Sequence, residues 1–121
     1  MLSDRARLAL YDIRDNIRLA RQFIEGVSIE VFKEDRMRFY ATTRALEIIS
    51  EATRRLPASL RERHPELRWR AIMGVGNVYR HDYDNVAEEL VWRTASQSLD
   101  ALLAVVSQEI ERGGAAEESR A

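Results

Sequence analysis

The stretch LYDIRDNIRLARQFI, residues 10–24, decides the fold class because it carries a single apolar stripe at helical spacing. The stripe residues follow one another at steps of three, four, three and four: Leu10, Ile13, Ile17, Ala20 and Ile24. Side chains at this spacing lie on one face of an α-helix. Ser3 or Asp4 is suited to cap the start and Gly26 to end the helix, so the pattern predicts a helix over residues 4–25.

Similar stripes predict helices in the middle of the chain. A second helical segment is predicted over residues 28–56, where Pro57 ends it, with SIEVFKED at 28–35 as a possible separate turn. Pro57 suits the first position of a short helix, PASLRERH, which the His64-Pro65 pair closes. A longer helix is predicted from residue 69 to about residue 80.

The last helix is predicted to begin after DYDN, residues 82–85, with Asn85 as its cap and Glu88 three residues later. Gly113 and Gly114 are predicted to end it. Its apolar stripe is formed by Leu99, Leu102, Val106 and Ile110.

These segments predict an all-α fold, an up-down helical bundle of four to five helices, because no stretch alternates as a strand does. The chain has 121 residues, 45% of them hydrophobic and 32% charged, which fits one helix-rich domain. We expect this domain to span residues 1–112 and the tail, residues 113–121, to be disordered for lack of apolar residues. Bundles often retain an apolar face, so a homodimer is expected.

Several classes of protein and site are excluded by what the sequence lacks. There is no cysteine, which excludes disulfides, thiolate nucleophiles and cysteine-bound metals. Neither His64 nor His81 follows a glutamate by three residues, as the helices of di-iron bundles require, and there is no glycine-rich phosphate loop. No cofactor is therefore predicted. The absence of a signal peptide or a long apolar run favours a cytoplasmic protein without a membrane partner.

Charge is concentrated in one segment although the net charge is only −1. Residues 52–70 contain six arginines and two acids. Such a patch attracts phosphates. A solvated helix face explains the segment equally well, and both interpretations stay open.

The stretch GVGNVYRHDY, residues 74–83, brings together side chains able to do chemistry. On a helix, Asn77 and His81 share a face, and Asn77, Arg80 and Tyr83 follow at steps of three. Histidine moves protons near neutral pH, and arginine binds a phosphate with two donors. Together they would suffice for RNA cleavage without a metal. Packing of His81 and Tyr83 against the last helix is the alternative, and His64, before a proline, is expected to be structural.

The order of these features resembles the HepT-like family of the HEPN superfamily, small all-α ribonuclease toxins of prokaryotic toxin–antitoxin pairs. The resemblance covers about residues 11–103, and its specific part is the block from residue 64 to residue 83 followed by Trp92. It is carried by four stretches: YDIRDNI (11–17), VFKEDRMRFYATTRALEIISEATRRL (31–56), HPELRWRAIMGVGNVYRHDY (64–83) and VAEELVW (86–92).

The resemblance implies a homodimer with active clefts at the subunit interface, a metal-independent ribonuclease acting on RNA such as tRNA or mRNA, and a nucleotidyltransferase antitoxin as partner. In the family, the antitoxin transfers AMP to a tyrosine two residues after the motif histidine. Tyr83 and His81 match these two positions, and Asn77 matches the polar residue after the motif arginine.

This chain departs from the family pattern at two positions. The motif arginine, five residues before the histidine, is replaced by Gly76, and the nearest basic residue is Arg80. Ser50 stands where the family often has glycine, a change expected to be tolerated. The first interpretation assigns His81 as general acid and base, Arg80 to phosphate, Asn77 to orientation and Tyr83 to AMP acceptance. The alternative is a non-catalytic HEPN bundle that binds a nucleotidyltransferase or RNA, because Gly76 supplies no cation.

Overall fold

The computed structural model describes residues 2–78 and 86–118, and within them the chain is helical with no strand. The described helices are numbered α1 to α7 in chain order: Asp4–Ile24, Ile29–Glu34, Arg36–Arg54, Ala58–Glu62, Trp69–Val78, Val86–Gln97 and Asp100–Glu118. The predicted all-α class is confirmed. More helices are found than the four or five predicted because two of the predicted helices are each divided.

Helix α1 forms as its sequence pattern predicts. The hydroxyl of Ser3 accepts a hydrogen bond from the amide of Ala6 at 3.1 Å, which satisfies one free donor of the first turn. Every residue of the apolar stripe is buried. Gly26 follows the helix with a φ of 70°, a conformation that glycine adopts without steric cost. The observed end at Ile24 lies within one residue of the predicted end.

The segment predicted as one helix over residues 28–56 is divided at Asp35. The amide of Asp35 donates to the carbonyls of Val31 and Phe32 and so ends α2. Its carboxylate accepts from the amide of Arg38 at 3.1 Å and so begins α3. The alternative in which residues 28–35 form a separate turn is therefore the one observed.

Two predictions about the last helix are wrong. The segment is divided at Ser98 and Leu99 into α6 and α7, and α7 continues past Gly113 to Glu118. Glycine keeps its backbone N–H and costs about 1 kcal/mol relative to alanine inside a helix, which weakens a helix without breaking it. Residues 113–118 thus belong to α7, whereas residues 119–121 and the predicted cap Asn85 lie outside the described residues. The disorder predicted for the tail stays a prediction. The domain limit at residue 112 stays a prediction.

The short helix α4 begins one residue later than predicted. Pro57 is its N-cap, in extended conformation, and the first helical residue is Ala58. The amides of Leu60 and Arg61 both donate to the carbonyl of Pro57, so the proline still marks the helix start.

Helices α1 and α3 form the centre of the bundle. Helix α1 packs against α3, α6 and α7, and α3 also packs against α2, α5 and α6. Their shared core is apolar and contains the buried residues Leu10, Ile13, Ile17, Phe32, Leu46, Leu60, Val91, Leu102 and Val106. None of the helices within the described ranges is long and apolar enough to cross a membrane. The fold therefore presents α5 on the outside of α3.

Candidate functional site

Helix α5 carries residues 74–78 of the stretch GVGNVYRHDY, and the indole of Trp69 forms a hydrogen bond at the start of the helix. The Trp69 Nε1 donates to the carbonyl of His64 at 2.9 Å, across the turn that contains Pro65. Trp69 and Ile72 are partly buried against the core. These contacts fix where the helix begins and which face it turns toward α3.

Two side chains of α3 bind the same backbone atom of α5. The hydroxyl of Ser50 donates to the carbonyl oxygen of Met73 at 2.5 Å, and Nη2 of Arg54 donates to it at 2.6 Å. Ser50 is 2% exposed, whereas Arg54 is exposed. In an α-helix the carbonyl of Met73 points toward the amide of Asn77, one turn further on. The two helices are therefore joined beside the last turn of α5.

Sequence reasoning missed both of these residues. Ser50 was considered only as a replacement for glycine, and Arg54 only as one charge of a basic segment. The signal was their spacing, because residues four apart on a helix share a face. A hydroxyl and a guanidinium at that spacing indicate a polar contact with a neighbouring element.

The predicted site residues fall at the edge of the described chain. Asn77 and Gly76 lie in the last turn of α5, whose described part ends at Val78. Arg80, His81 and Tyr83 lie outside the described residues. That these side chains meet around one helix end stays a prediction.

The arginines of residues 52–70 divide into paired and unpaired charges. Arg55 forms an ion pair with Asp12 at 2.9 Å, and Arg63 pairs with Glu109 at 2.7 Å. Arg54, Arg68 and Arg70 are exposed, and none of them has a carboxylate partner within the described part of the chain. Neither interpretation of the basic segment is therefore right for all of it.

The unpaired charges lie beside α5. Arg68 directly precedes the helix and Arg70 lies in its first turn, where the helix dipole disfavours cations. These two charges do not stabilise the helix that carries them. Together with Arg54 they make the surroundings of α5 attractive to an anion.

His64 is buried in a cluster of ionisable groups. Its Nε2 lies 2.7 Å from Oε2 of Glu109, which also accepts from Arg63. Burial raises the pKa of Glu109, but the hydrogen bonds from Arg63 and His64 outweigh that effect and hold the pKa below its ordinary value. This arrangement supports the structural role expected for His64.

Ion pairs with residues of α2 and α3 hold α6 against these two helices. Lys33 of α2 contacts Glu89 at 2.5 Å, and Arg36 of α3 contacts Glu88 at 2.8 Å. The hydrogen bond from Lys33 lowers the pKa of Glu89. Trp92 adds a bond from its Nε1 to the carbonyl of Val27 at 3.1 Å. These contacts explain why the stretch at residues 86–92 has a distinct polar and aromatic pattern.

The described residues offer no metal site. No three histidine, aspartate or glutamate side chains in this part of the chain lie close enough together to hold a metal ion. A groove of about 490 Å³ lies between α1 and α7, away from α5, and a second of about 410 Å³ is lined mainly by apolar residues of α3, α5 and α7. The unpaired cations beside α5 are therefore the stronger candidate for function.

Comparison with known proteins identifies a family. The model of the family described as "Ribonuclease HepT-like" matches residues 13–109. A protein of Thermococcus cleftensis named "Probable ribonuclease HepT" is 32% identical over 93 residues, covering 77% of this chain and 84% of its own length. A protein of Caldanaerobacter subterraneus named as an RNase is 32% identical, covering 74% of this chain and 80% of its own length. One of Methanocaldococcus jannaschii, also named as an RNase, is 31% identical over 74% and 83%. No solved structure matches the chain.

Proposed function

Because the chain belongs to the ribonuclease HepT-like family, we propose that it is a toxin-type, metal-independent ribonuclease subunit that a nucleotidyltransferase antitoxin neutralises. The observation that carries the proposal is the family match over residues 13–109, which includes the whole stretch from residue 74 to residue 83. The unpaired arginines beside α5 add support, since an RNA substrate is a polyanion.

The proposed chemistry needs only side chains of this stretch. His81 removes the proton of a 2′-hydroxyl, whose oxygen attacks the adjacent phosphorus, and then protonates the departing 5′-oxygen. Arg80 neutralises charge on the phosphate as the reaction proceeds, and Asn77 orients it. No cofactor takes part. The antitoxin transfers AMP from ATP to the hydroxyl oxygen of Tyr83, with pyrophosphate as the leaving group, and we propose that this modification switches the activity off.

A homodimer is proposed on the exposed surface of α3. Two rows of residues at seven-residue spacing share this side of the helix: Met37, Arg44, Glu51 and Tyr40, Glu47, Arg54. Met37 is 85% exposed and Tyr40 is 63% exposed. Large apolar side chains so exposed favour an interface. Because Arg54 lies on this same side, the interface would adjoin the proposed site.

The test is cleavage of RNA in the presence of EDTA. We expect the wild type to cleave and the variant His81→Ala to lose activity, with His64→Ala as a control that removes the other histidine without touching the proposed site. Since His64 is buried, the control variant must first be shown to fold by circular dichroism. A requirement for magnesium, or full activity in His81→Ala, would contradict the proposed mechanism.

A second function is favoured by one observation, the glycine at position 76. A bundle without a cation at that position could bind RNA or a nucleotidyltransferase without cleaving. An inactive wild type together with an active Gly76→Arg variant would establish this alternative. Activity of the wild type would exclude it.

A further inference from the structure

Arg54 stands out among the arginines because its position is fixed and its charge is not neutralised. Its Nη2 donates to the carbonyl of Met73 at 2.6 Å, so the guanidinium group is held against α5. No carboxylate forms an ion pair with it anywhere in the described ranges, unlike its neighbour Arg55, which pairs with Asp12. One hydrogen bond uses one of five N–H donors. The described ranges contain no partner for the other donors, so these can bind a ligand.

The location of this guanidinium follows from helix geometry. In an α-helix a carbonyl oxygen lies about 2.9 Å from the amide nitrogen four residues later. The oxygen of Met73 therefore lies beside the backbone of Asn77, and Arg54 reaches the last turn of α5 from outside. Gly76, in the same turn, has no side chain and supplies no charge. The cation at this turn comes from α3.

Resting on the proposed ribonuclease function, we infer that Arg54 binds a phosphate of the RNA substrate beside the last turn of α5. A guanidinium fits this task because its planar arrangement of donors matches two phosphate oxygens. Ser50 donates to the same carbonyl from the buried side, so α5 stays bound to α3 when either of the two bonds is removed.

A purely structural role for Arg54 would be to hold α5 against α3. The variant Ser50→Ala distinguishes this role from phosphate binding. Ser50→Ala removes a bond to the same carbonyl oxygen without changing the charge. If fastening were what mattered, Ser50→Ala should impair cleavage as much as Arg54→Ala. Arg18, exposed on α1, provides a matched control for the loss of one positive charge on another helix.

The experiment measures two quantities in each variant. The first is the rate of cleavage of a labelled single-stranded RNA of mixed sequence. The second is the affinity for the same RNA with 2′-O-methyl groups, which cannot be cleaved, at several salt concentrations. We expect Arg54→Ala to lower kcat about a hundredfold and to reduce the slope of log affinity against log salt by about one. Arg54→Lys should recover only part of the rate.

The controls complete the prediction. Ser50→Ala and Arg18→Ala should stay close to the wild type in kcat, and Arg18→Ala should keep the salt slope. Adding Gly76→Arg to Arg54→Ala should restore part of the rate, because the new side chain brings a cation back to the same turn. Fastening of the helices cannot explain that rescue.

Three results would overturn the inference. If Arg54→Ala behaves like Arg18→Ala in both measurements, Arg54 contacts no phosphate. Cleavage by the wild type then still supports the ribonuclease function. An equal loss in Ser50→Ala and Arg54→Ala assigns Arg54 to fastening alone. If the wild type binds RNA without cleaving it, the ribonuclease proposal fails, and the salt slope still decides the role of Arg54. A wild type that neither binds nor cleaves overturns both proposals.

Discussion

Arg54 and Arg63 belong to the same basic segment, yet the bundle uses them in opposite ways. Arg63, at the end of α4, forms two hydrogen bonds with Glu109, which is 2% exposed on α7. Arg54, at the end of α3, binds a neutral carbonyl and keeps its net charge. The contact of Arg63 with Glu109, the paired junction, neutralises charge and stabilises the fold. The contact of Arg54 with the carbonyl of Met73, the unpaired junction, leaves a positive charge beside α5. A count of arginines in a sequence therefore does not measure the charge available to a ligand.

The largest effect is expected from breaking the paired junction. Glu109→Ala leaves Arg63 and the buried His64 without their shared acceptor, and loss of one partner from a buried pair costs about 3–5 kcal/mol. Because Arg63 is 35% exposed and can be hydrated, we expect a loss of about 3 kcal/mol, the lower end of that range. Urea denaturation followed by circular dichroism measures it.

A matched control for this variant is Glu66→Ala. Glu66 is 62% exposed and lies 3.6 Å from Nδ1 of His64, so its removal should cost less than about 1 kcal/mol. Equal losses in the two variants would show that burial of Glu109 contributes nothing to the strength of the junction.

An intermediate effect is expected from pH. The pKa of Glu109 is lower in the folded protein than the ordinary value of 4.5, so the unfolded chain takes up this proton first as the pH falls. The stabilisation is complete above the ordinary pKa and is lost as the pH falls below it and through the depressed folded pKa. Glu109→Gln should therefore show a flatter decline of the free energy of unfolding in this acidic range than the wild type. Parallel curves for the two proteins would contradict the assignment.

The smallest effects are expected at the unpaired junction. Ser50→Ala removes a neutral hydrogen bond from a buried hydroxyl and should cost about 1 kcal/mol. Arg54→Ala removes an exposed side chain and should change the free energy of unfolding by less than about 0.5 kcal/mol. Thermal or urea unfolding of both variants measures the difference. A larger loss for Arg54→Ala than for Ser50→Ala would mean that Arg54 also contributes to holding the fold together.

The sequence predicted where helices lie better than where they end. Helix α1 was predicted within one residue because a capping serine and a glycine bracket one stripe. The division of the last helix was missed because the apolar phase runs through it without a shift, the buried residues being Ala87, Val91, Ala95, Leu99, Leu102 and Val106. Periodicity cannot reveal a break that preserves the phase.

For the site, the sequence indicated side chains but not their partners. The helix end that carries Asn77 was expected from spacing along one element. The contact that Ser50 and Arg54 make with the carbonyl oxygen of Met73 was not expected. Ser50 precedes Met73 by 23 positions in the sequence and Arg54 precedes it by 19. Long-range contacts with backbone atoms leave no pattern of their own in a single sequence. The family resemblance indicated the same helix, but it did not predict this contact either.

Asp35 connects α2 to α3, and the residues on either side of it connect both helices to α6. It ends α2 with its amide and begins α3 with its carboxylate, and Lys33 and Arg36, on either side of it, both hold α6. Opening α6 breaks contacts on both sides of this cap. Local opening usually involves contiguous cooperative units rather than single helices. We therefore expect helices α2 and α6 to open together with the first turn of α3.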